Sequence, residues 1–239
     1  MIKCGILFNA KQRGFEKYLE WIVKSQERNN FLISFVHTNG DMDIPNIKLG
    51  TLRSVIDESD IVFSLGYWKK ITKEDIHKVK MGIVNFHHSY RLKFQGRHCA
   101  SWALIHNEKI HGSTLHFIDE KIDEGKIIDT DFFEINEEEV SEDLFMRSSE
   151  LGFNLLKKNF FKLINNKDIV FEHDQPKERF SYKAKDLKHE LLFEENPSSF
   201  LRKVRALTFD KAPAPYLLLN GKKIFLKLEG YDDGQLKKQ

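Results

Sequence analysis

The first half of the chain alternates short apolar runs with amphipathic segments. The apolar runs predict four buried strands, at Ile2–Phe8, Phe31–Thr38, Ile61–Leu65 and Gly82–Phe86. Between them, apolar residues at helical spacing predict a helix at Phe15–Arg28. A short helix is also predicted at Leu52–Ser59 and a polar one at Thr72–Lys80. Strands that are apolar throughout and alternate with helices are typical of a parallel sheet covered by helices on both faces. We therefore predict an α/β, Rossmann-like, mostly parallel sheet.

The second half continues this pattern and then changes character near residue 175. It predicts two more strands and two more helices, at Thr114–Ile118, Lys126–Ile135, His98–His106 and Ser141–Asn165, with Ser141 as the N-cap of the last helix. In residues 176–239 the apolar pieces are short, and Asn220–Gly221 between two of them is a strong hairpin signal. We predict a main domain over residues 1–175 and a small, mostly β subdomain over residues 176–239.

Composition excludes several classes of protein. The 239-residue chain has a formal net charge of +2, which argues against a dedicated nucleic-acid binder. No apolar run approaches the roughly 18 residues of a membrane helix, and the N-terminus lacks a signal-peptide pattern. Two cysteines, Cys4 and Cys99, are too few for a disulfide framework or a cysteine metal site. These features predict a cytoplasmic protein that binds neither nucleic acid nor membrane.

Polar side chains cluster where the fourth predicted strand ends. Alternation along a strand puts Asn85 and His87 on one face and Phe86 on the other. Carboxyl ends of strands form the ligand crevice in open α/β sheets, and an amide beside an imidazole suits acyl transfer. Asp119 and Asp123 follow the next strand, where a carboxylate can orient the histidine or accept a proton. Alternatively, Asn85 and His87 are turn residues that satisfy backbone groups. Asp119 and Asp123 are alternatively part of a solvated acidic loop.

An ordered set of motifs resembles a known family. The motifs are Asn85-x-His87-x-Ser89, Gly96, Trp102-Ala103, Gly112-x-Thr114-x-His116-x-Ile118-Asp119 and Ile122-Asp123-x-Gly125-x-Ile127-Ile128, preceded by Ser64-Leu-Gly-Tyr67. In this order they resemble the folate-dependent formyltransferases, which include methionyl-tRNA and glycinamide ribonucleotide formyltransferases. The resemblance implies an enzyme that uses N10-formyltetrahydrofolate as cosubstrate in the main domain and needs no metal.

The resemblance also implies roles for individual residues. Asn85 matches the amide that donates to the formyl oxygen, His87 the catalytic imidazole and Asp123 the carboxylate beside it. The chain departs from the family pattern at Leu92-Lys93 and at Gln95, where members carry Leu-Pro and Arg. These departures weaken any assignment of substrate contacts to that loop.

Binding residues are predicted on both sides of this catalytic set. For the pterin of the cosubstrate, the candidates are Leu65, Gly66, Tyr67, Trp68, Ile118 and Asp119. For the acceptor substrate, candidates for phosphate and base contacts are Asn9, Lys11, Arg13, Tyr182, Lys183, Lys185, Phe209 and Tyr216. Each lysine is individually expected to be a solvated surface charge, and core packing is the alternative for the aromatic residues.

Three functions are compatible with the sequence. Segments Arg205–Phe209 and Tyr216–Lys222 resemble family members that formylate nucleotide-linked amino sugars, and residues 176–239 hold fourteen Lys and Arg against nine Asp and Glu. The first hypothesis is therefore an N-formyltransferase acting on a dTDP-linked amino sugar, with dTDP-4-amino-4,6-dideoxyglucose favoured, for O-antigen or another surface glycan. The alternatives are a methionyl-tRNA formyltransferase-like enzyme, which predicts a larger basic domain, and a non-catalytic folate- or nucleotide-binding module. Related sugar enzymes also resemble dimers, which makes a homodimer an expectation.

Overall fold

The computed structural model describes residues 1–26, 29–40, 44, 47–67, 69–166, 169, 171, 176, 178–192, 196–210 and 212–228. The strands are β1 Ile2–Phe8, β2 Phe31–Thr38, β3 Ile61–Leu65, β4 Ile83–His87, β5 Phe94–Gly96, β6 Ile110–Phe117, β7 Ile127–Glu134, β8 Phe180–Tyr182, β9 Tyr216–Leu219 and β10 Lys222–Phe225. The helices are α1 Glu16–Gln26, α2 Leu52–Asp57, α3 Lys73–Lys78, α4 Cys99–Ile105, α5 Ser141–Ile164 and α6 Pro197–Leu207. Among the helices described, none is both long and apolar enough to cross a membrane.

Six strands form the central sheet in the order β2-β1-β3-β4-β6-β7. The pairs β1–β2, β1–β3 and β3–β4 are parallel, whereas β6 runs antiparallel to both β4 and β7. This confirms the predicted Rossmann-like, mostly parallel sheet. The register places His116 opposite Asn85 and Thr114 opposite His87, so residues of β6 lie directly beside the carboxyl end of β4.

Helices cover both faces of the sheet, as predicted. On one face α1 and α5 enclose a large core that includes Tyr18, Phe63, Phe86, Leu115 and Phe160. On the other face α2 and its neighbours pack on a smaller cluster of aliphatic side chains. The long stripe of α5 is therefore core packing, as its spacing indicates.

The N-cap prediction for α5 is wrong. Val140 occupies the N-cap position, and its backbone N–H is accepted at 2.9 Å by the carboxylate of Asp143 in the first turn. The Ser141 hydroxyl instead donates to the carbonyl of Thr208 at 2.7 Å. Tertiary contact with the C-terminal segment thus outweighs the local capping preference of Ser141.

The C-terminal segment contains the predicted hairpin and a helix, α6, that was not predicted. Asn220 and Gly221 join β9 to β10 with positive φ values of 49° and 75°, as a tight two-residue turn requires. Helix α6 packs against α4, and its buried residues include Val204 and Leu207. Strand β8 pairs in parallel with β5, which follows β4 along the chain, so the segment also reaches the site. The division at residue 175 stays a prediction.

Candidate active site

Asn85 and His87 lie on one face of β4 and Phe86 on the other. Phe86 is 3% exposed and packs in the large core beneath α1 and α5. The two polar side chains face the opposite side, where His116 of β6 and Asp123 of the following loop join them. The structure therefore brings together the three residues that the sequence predicts to be catalytic.

His116 holds the amide of Asn85. Its Nδ1–H donates to the carbonyl of Phe117 at 2.8 Å, which leaves Nε2 as an acceptor for the Asn85 amide at 3.2 Å. Burial, opposed by the Asp123 carboxylate, lowers the pKa of His116 to about 4. His116 is therefore neutral at physiological pH, and it fixes the nitrogen end of the Asn85 amide toward itself.

His87 is held between a backbone carbonyl and a carboxylate. Its Nε2 lies 2.6 Å from the carbonyl oxygen of Phe94, and its Nδ1 lies 3.5 Å from Oδ2 of Asp123. Burial by itself lowers the pKa of His87, but the Asp123 carboxylate, the Cys99 sulfur and the Phe94 carbonyl outweigh it and raise the pKa to about 10. The imidazole therefore carries a positive charge at neutral pH and offers the Nδ1 proton to the site.

Asp123 is fixed by backbone contacts on both sides. The backbone of Asp123 has φ 53°, in the left-handed region that Asp tolerates better than most residues. Its side-chain Oδ2 accepts the N–H of Gly96 at 2.8 Å. The Gln95 amide donates to the Asp123 carbonyl at 3.0 Å. Gly125 closes the same turn, because a Cβ there would lie 1.7 Å from the Phe117 carbonyl oxygen. The glycine of the Asp-x-Gly motif is thus a steric requirement of this loop.

His88 points away from the site, as strand alternation predicts. Its ring lies 5.4 Å from the ring of Phe15 and 4.6 Å from that of Phe145, centroid to centroid. Burial, aided by the nearby charge of His87, lowers the pKa of His88 to about 3. His88 is therefore a neutral packing residue on the core face.

The arrangement supplies two donors and one acceptor around a single space. The Asn85 amide and the charged His87 can stabilise an oxyanion, and the Asp123 carboxylate can accept a proton. The Formyl transferase family model matches residues 53–159, which include all three. Residues 53–159 form a formyl transferase domain. The resemblance indicated by the motifs is confirmed.

Relatives and solved structures extend the match beyond this domain. The bifunctional polymyxin resistance protein ArnA of Wigglesworthia glossinidia brevipalpis is 34% identical over 170 residues, 70% of this chain and 25% of that protein. Methionyl-tRNA formyltransferase of Bacillus cytotoxicus is 27% identical over 69% of this chain and 52% of its own length. The chain thus spans between a quarter and about half of these curated relatives.

Two N-formyltransferase structures match nearly the whole chain. A 4-N formyltransferase from Francisella tularensis has a TM-score of 0.78 at 21% identity and covers 95% of this chain and 97% of its own. The N-formyltransferase from Helicobacter canadensis, in complex with folinic acid and dTDP-3-aminofucose, has a TM-score of 0.71 at 25% identity. The match covers 94% of this chain and 86% of that one. Solved structures that resemble this chain therefore include N-formyltransferases, one of them in complex with dTDP-3-aminofucose.

The predicted pterin-binding residues lie beside the catalytic strand. The register pairs Ser64 with Asn85, so Leu65, Gly66 and Tyr67 follow next to the end of β4. Leu65 is fully buried. Tyr67 and Ile118 are half-buried against the smaller cluster of aliphatic side chains beneath α2. The Asp119 side chain caps the N–H of Glu120 at 2.7 Å, and Trp68 lies outside the described residues.

The candidates after β1 serve mainly to order their own loop. Asn9 accepts the N–H of Lys11 at 3.2 Å and the amide of Asn39 at 2.7 Å. Arg13 forms ion pairs with Glu142 at the start of α5 and with Asp210, the second at 3.3 Å. The Arg13 guanidinium therefore connects this loop to the C-terminal segment, and the exposed Lys11 retains a solvated ammonium group.

The C-terminal candidates divide into packed rings and exposed cations. Tyr182 stacks on Trp102 at 3.8 Å between centroids and bonds His106 through its hydroxyl at 2.7 Å. Phe209 packs on Phe145, and Tyr216 packs on Phe225 beneath the ammonium group of Lys223. Lys183 and Lys185 follow β8 and are exposed. The three rings thus follow the packing alternative, and the two lysines remain available to a ligand.

Sequence reasoning missed the residues that hold the catalytic set. His116 belongs to the family motif and lies opposite Asn85, so strand register was a signal that could have identified it. Gln95 and the Phe94 carbonyl act from a three-residue strand with no clear periodicity. The contact of Cys99 with His87, at 3.3 Å between Sγ and Nε2, also had no sequence signal.

Proposed function

We propose that this chain is an N-formyltransferase that moves the formyl group of N10-formyltetrahydrofolate to the amine of a dTDP-linked amino sugar. The observation that carries the proposal is the convergence of Asn85, His87 and Asp123 in the formyl transferase domain. Donors for a developing oxyanion and an acceptor for an amine proton are what the transfer of a formyl group between nitrogens requires.

The chemistry proceeds through one tetrahedral intermediate. The neutral amine of the sugar attacks the formyl carbon, a new C–N bond forms, and negative charge develops on the formyl oxygen. The Asn85 amide and the His87 Nδ1–H stabilise that charge, and one such donor is typically worth about 3–4 kcal/mol. Asp123 takes the proton that the amine loses. The bond from the formyl carbon to N10 then breaks, N10 receives the proton that Asp123 took up, and tetrahydrofolate leaves as the formamide forms.

The charge state of His87 decides its part in this sequence. Because the pKa of His87 is raised to about 10, its ring is protonated near neutral pH and acts as a charged donor. Nε2–H remains bonded to the Phe94 carbonyl, so Nδ1 is the nitrogen that faces the reaction. Asp123, 3.5 Å from Nδ1, is then the group with free lone pairs for the amine proton.

The cosubstrate is placed on the β3 side of the site. Residues 65–67 end beside β4, and Tyr67 and Ile118 offer a half-buried aromatic and an aliphatic surface there. A pterin ring suits such a surface, with backbone polar groups to read its edge. The Helicobacter structure that matches this chain contains folinic acid, which supports a folate ligand.

The acceptor is proposed to be dTDP-4-amino-4,6-dideoxyglucose, with 3-amino sugars as the competing possibility. The Helicobacter structure contains dTDP-3-aminofucose, which supports the dTDP-amino-sugar class, and its match reaches through 94% of this chain. Lys183 and Lys185 are the exposed cations that can meet a diphosphate. The formamido sugar produced would enter an O-antigen or another surface glycan.

We also propose a homodimer. The hairpin carries four large apolar side chains that are 41–51% exposed: Leu218, Leu219, Ile224 and Phe225. Their burial against a second copy would remove this surface from water. Sedimentation of the purified protein tests the expectation, and a monomer at micromolar concentration would contradict it.

A substrate panel tests the proposed function. The protein is incubated with N10-formyltetrahydrofolate and, separately, dTDP-3-amino sugars, dTDP-4-amino sugars and charged initiator tRNA. We expect formylation of at least one sugar, best with dTDP-4-amino-4,6-dideoxyglucose, and none of the tRNA. Turnover of the tRNA with none of the sugars would support the methionyl-tRNA alternative, and binding without turnover would support the non-catalytic module.

A further inference from the structure

Cys99 lies against the inner side of the catalytic imidazole. It is the first residue of α4, and its side chain is buried, with 6% of the residue exposed. Its sulfur lies 3.3 Å from Nε2 of His87 and 3.3 Å from the carbonyl oxygen of Phe94. The thiol therefore touches both partners of the hydrogen bond that anchors His87.

The Phe94 carbonyl fixes which nitrogen of His87 can exchange a proton. A carbonyl oxygen only accepts, so Nε2, at 2.6 Å, keeps its hydrogen in the neutral and the charged ring. Nδ1, which faces Asp123, is then the nitrogen that gains or loses a proton. The carbonyl has a second lone pair, which the Cys99 S–H can engage from α4.

We propose that Cys99 is a positioning residue for His87. Its thiol holds the Phe94 carbonyl in place and closes the inner side of the ring, so that Nε2–H stays on that carbonyl and Nδ1 stays toward Asp123. The inference rests on the proposed function, in which His87 is the catalytic imidazole. Cys99 itself contacts no reacting atom, because it lies on the side of the ring opposite to Asp123.

The electrostatic surroundings of His87 agree with this role. The ionisable groups that interact electrostatically with His87 are Asp123, Cys99, His116, His88 and His111. Burial lowers the pKa of His87, and Asp123, Cys99 and the Phe94 carbonyl raise it, whereas His88, His111 and His116 have pKa values lowered mainly by burial. Loss of the thiol therefore makes His87 bind its proton more weakly.

The test compares Cys99→Val, which keeps most of the volume and removes the hydrogen-bonding group, with Cys99→Ser, which restores a donor. Cys4→Val is the matched control, because Cys4 is the other buried free thiol and lies in β1 away from His87. Nitrogen NMR of the histidine rings in the ligand-free protein gives the His87 tautomer and its titration. Steady-state kinetics give kcat and KM.

We expect Cys99→Val to weaken proton binding at His87 by about tenfold and to lower kcat by about tenfold with KM within about twofold, as for a lost charge-assisted contact. Cys99→Ser should recover most of kcat, and Cys4→Val should change neither readout. If Cys99→Val does not fold, Cys99→Ala is measured in the same way.

An unchanged His87 titration and kcat in the folded Cys99 variant would overturn the inference, as would an equal loss in Cys4→Val. Because the titration needs no substrate, this failure differs from failure of the proposed function. In the latter case the wild-type protein would transfer no formyl group, while His87 would still respond to loss of the thiol.

Discussion

Nδ1 of His87 lies 3.5 Å from Oδ2 of Asp123, across the gap between the end of β4 and the loop that follows β6. The two residues are brought together by the antiparallel register of β4 and β6 and by the backbone contacts that fix Asp123. The pair holds a protonated imidazole and a carboxylate at one site, which is the charge arrangement that the proposed formyl transfer requires.

The adjacent histidines should differ sharply in their effect on turnover. His87→Asn removes the charged donor and should lower kcat by at least about a hundredfold, with a much smaller change in KM. His88→Asn should leave kcat within a few-fold of the wild type, because the His88 ring packs against Phe15 and Phe145 on the core face. Steady-state kinetics on folded variants measure both. A crippled His88 variant beside a His87 variant with near-normal turnover would contradict the placement of His87 and His88 on opposite faces of β4.

Asp123→Asn should resemble His87→Asn. An amide can neither accept the amine proton nor keep the pKa of His87 raised, so kcat should again fall by at least about a hundredfold. The wild type should lose activity as the pH rises through about 10, where His87 loses its charge. The kcat–pH profile of the variant should show this descending limb at lower pH. A descending limb at the same pH in Asp123→Asn and the wild type would show that Asp123 does not raise the pKa of His87.

Replacing His88 should reduce the sensitivity of the fold to acid. Burial lowers the pKa of His88 to about 3, well below its usual value near 6.5, so the unfolded chain binds more protons than the native one between these pH values. Proton binding to the unfolded His88 therefore opposes folding increasingly as the pH falls from about 6.5 toward 3, and it has no effect on stability above about pH 6.5. His88→Phe should flatten the decline in unfolding free energy below pH 6.5, although His111 and His116 keep part of it.

The same variant should also gain stability at neutral pH. Both ring nitrogens of His88 are buried and have no hydrogen-bond partner among the described residues, a situation that costs about 1–3 kcal/mol. Urea unfolding at several pH values measures both effects. The control is His77→Gln on the exposed surface of α3, which should leave the curve unchanged. A His88→Phe curve that is parallel to the wild type throughout would contradict the argument.

Activity should survive exhaustive chelation. The ring nitrogens near the site are already engaged: Nε2 of His87 with Phe94, and Nδ1 and Nε2 of His116 with Phe117 and Asn85. Among the residues that the structure describes, no group of three or more His, Cys, Asp or Glu side chains is arranged to hold a metal ion. Turnover is measured after dialysis against a chelator, with elemental analysis of the same sample. Activity lost on dialysis and restored only by added metal would show that this expectation is wrong.

The elements that local sequence patterns specify were predictable, and those set by tertiary contacts were not. The continuous apolar runs identified the central strands, and Asn220–Gly221 identified the hairpin, because both signals are local. Helix α6 is an exception that was overlooked although its signals are local, because Asn196 and Pro197 mark its start and Phe200, Val204 and Leu207 follow at helical spacing. Ser141 failed as a cap because Thr208, distant in sequence, takes its hydroxyl.

The residues of the candidate site likewise divide into those that the sequence indicated and those that it did not. In the proposed mechanism Asn85, His87 and Asp123 carry the chemistry; residue type and motif spacing indicated them, and the structure brings them together. Their supports are backbone groups and residues without a motif, such as the Phe94 carbonyl, Gln95 and Cys99, and their positions depend on tertiary contacts. Arg13 had the right charge for a phosphate, but its carboxylate partners, Glu142 and Asp210, come from far along the chain.

The most direct test of the central claim follows the formyl group itself. N10-formyltetrahydrofolate carrying an isotopic label in the formyl carbon is mixed with the protein and dTDP-4-amino-4,6-dideoxyglucose, and the products are separated and analysed by mass spectrometry. We predict that the label appears on the sugar amine, together with stoichiometric tetrahydrofolate, and that His87→Asn abolishes most of this transfer. Label that appears only in free formate, or stays on the folate while every amino sugar of the panel remains unmodified, would contradict the assignment as a sugar N-formyltransferase.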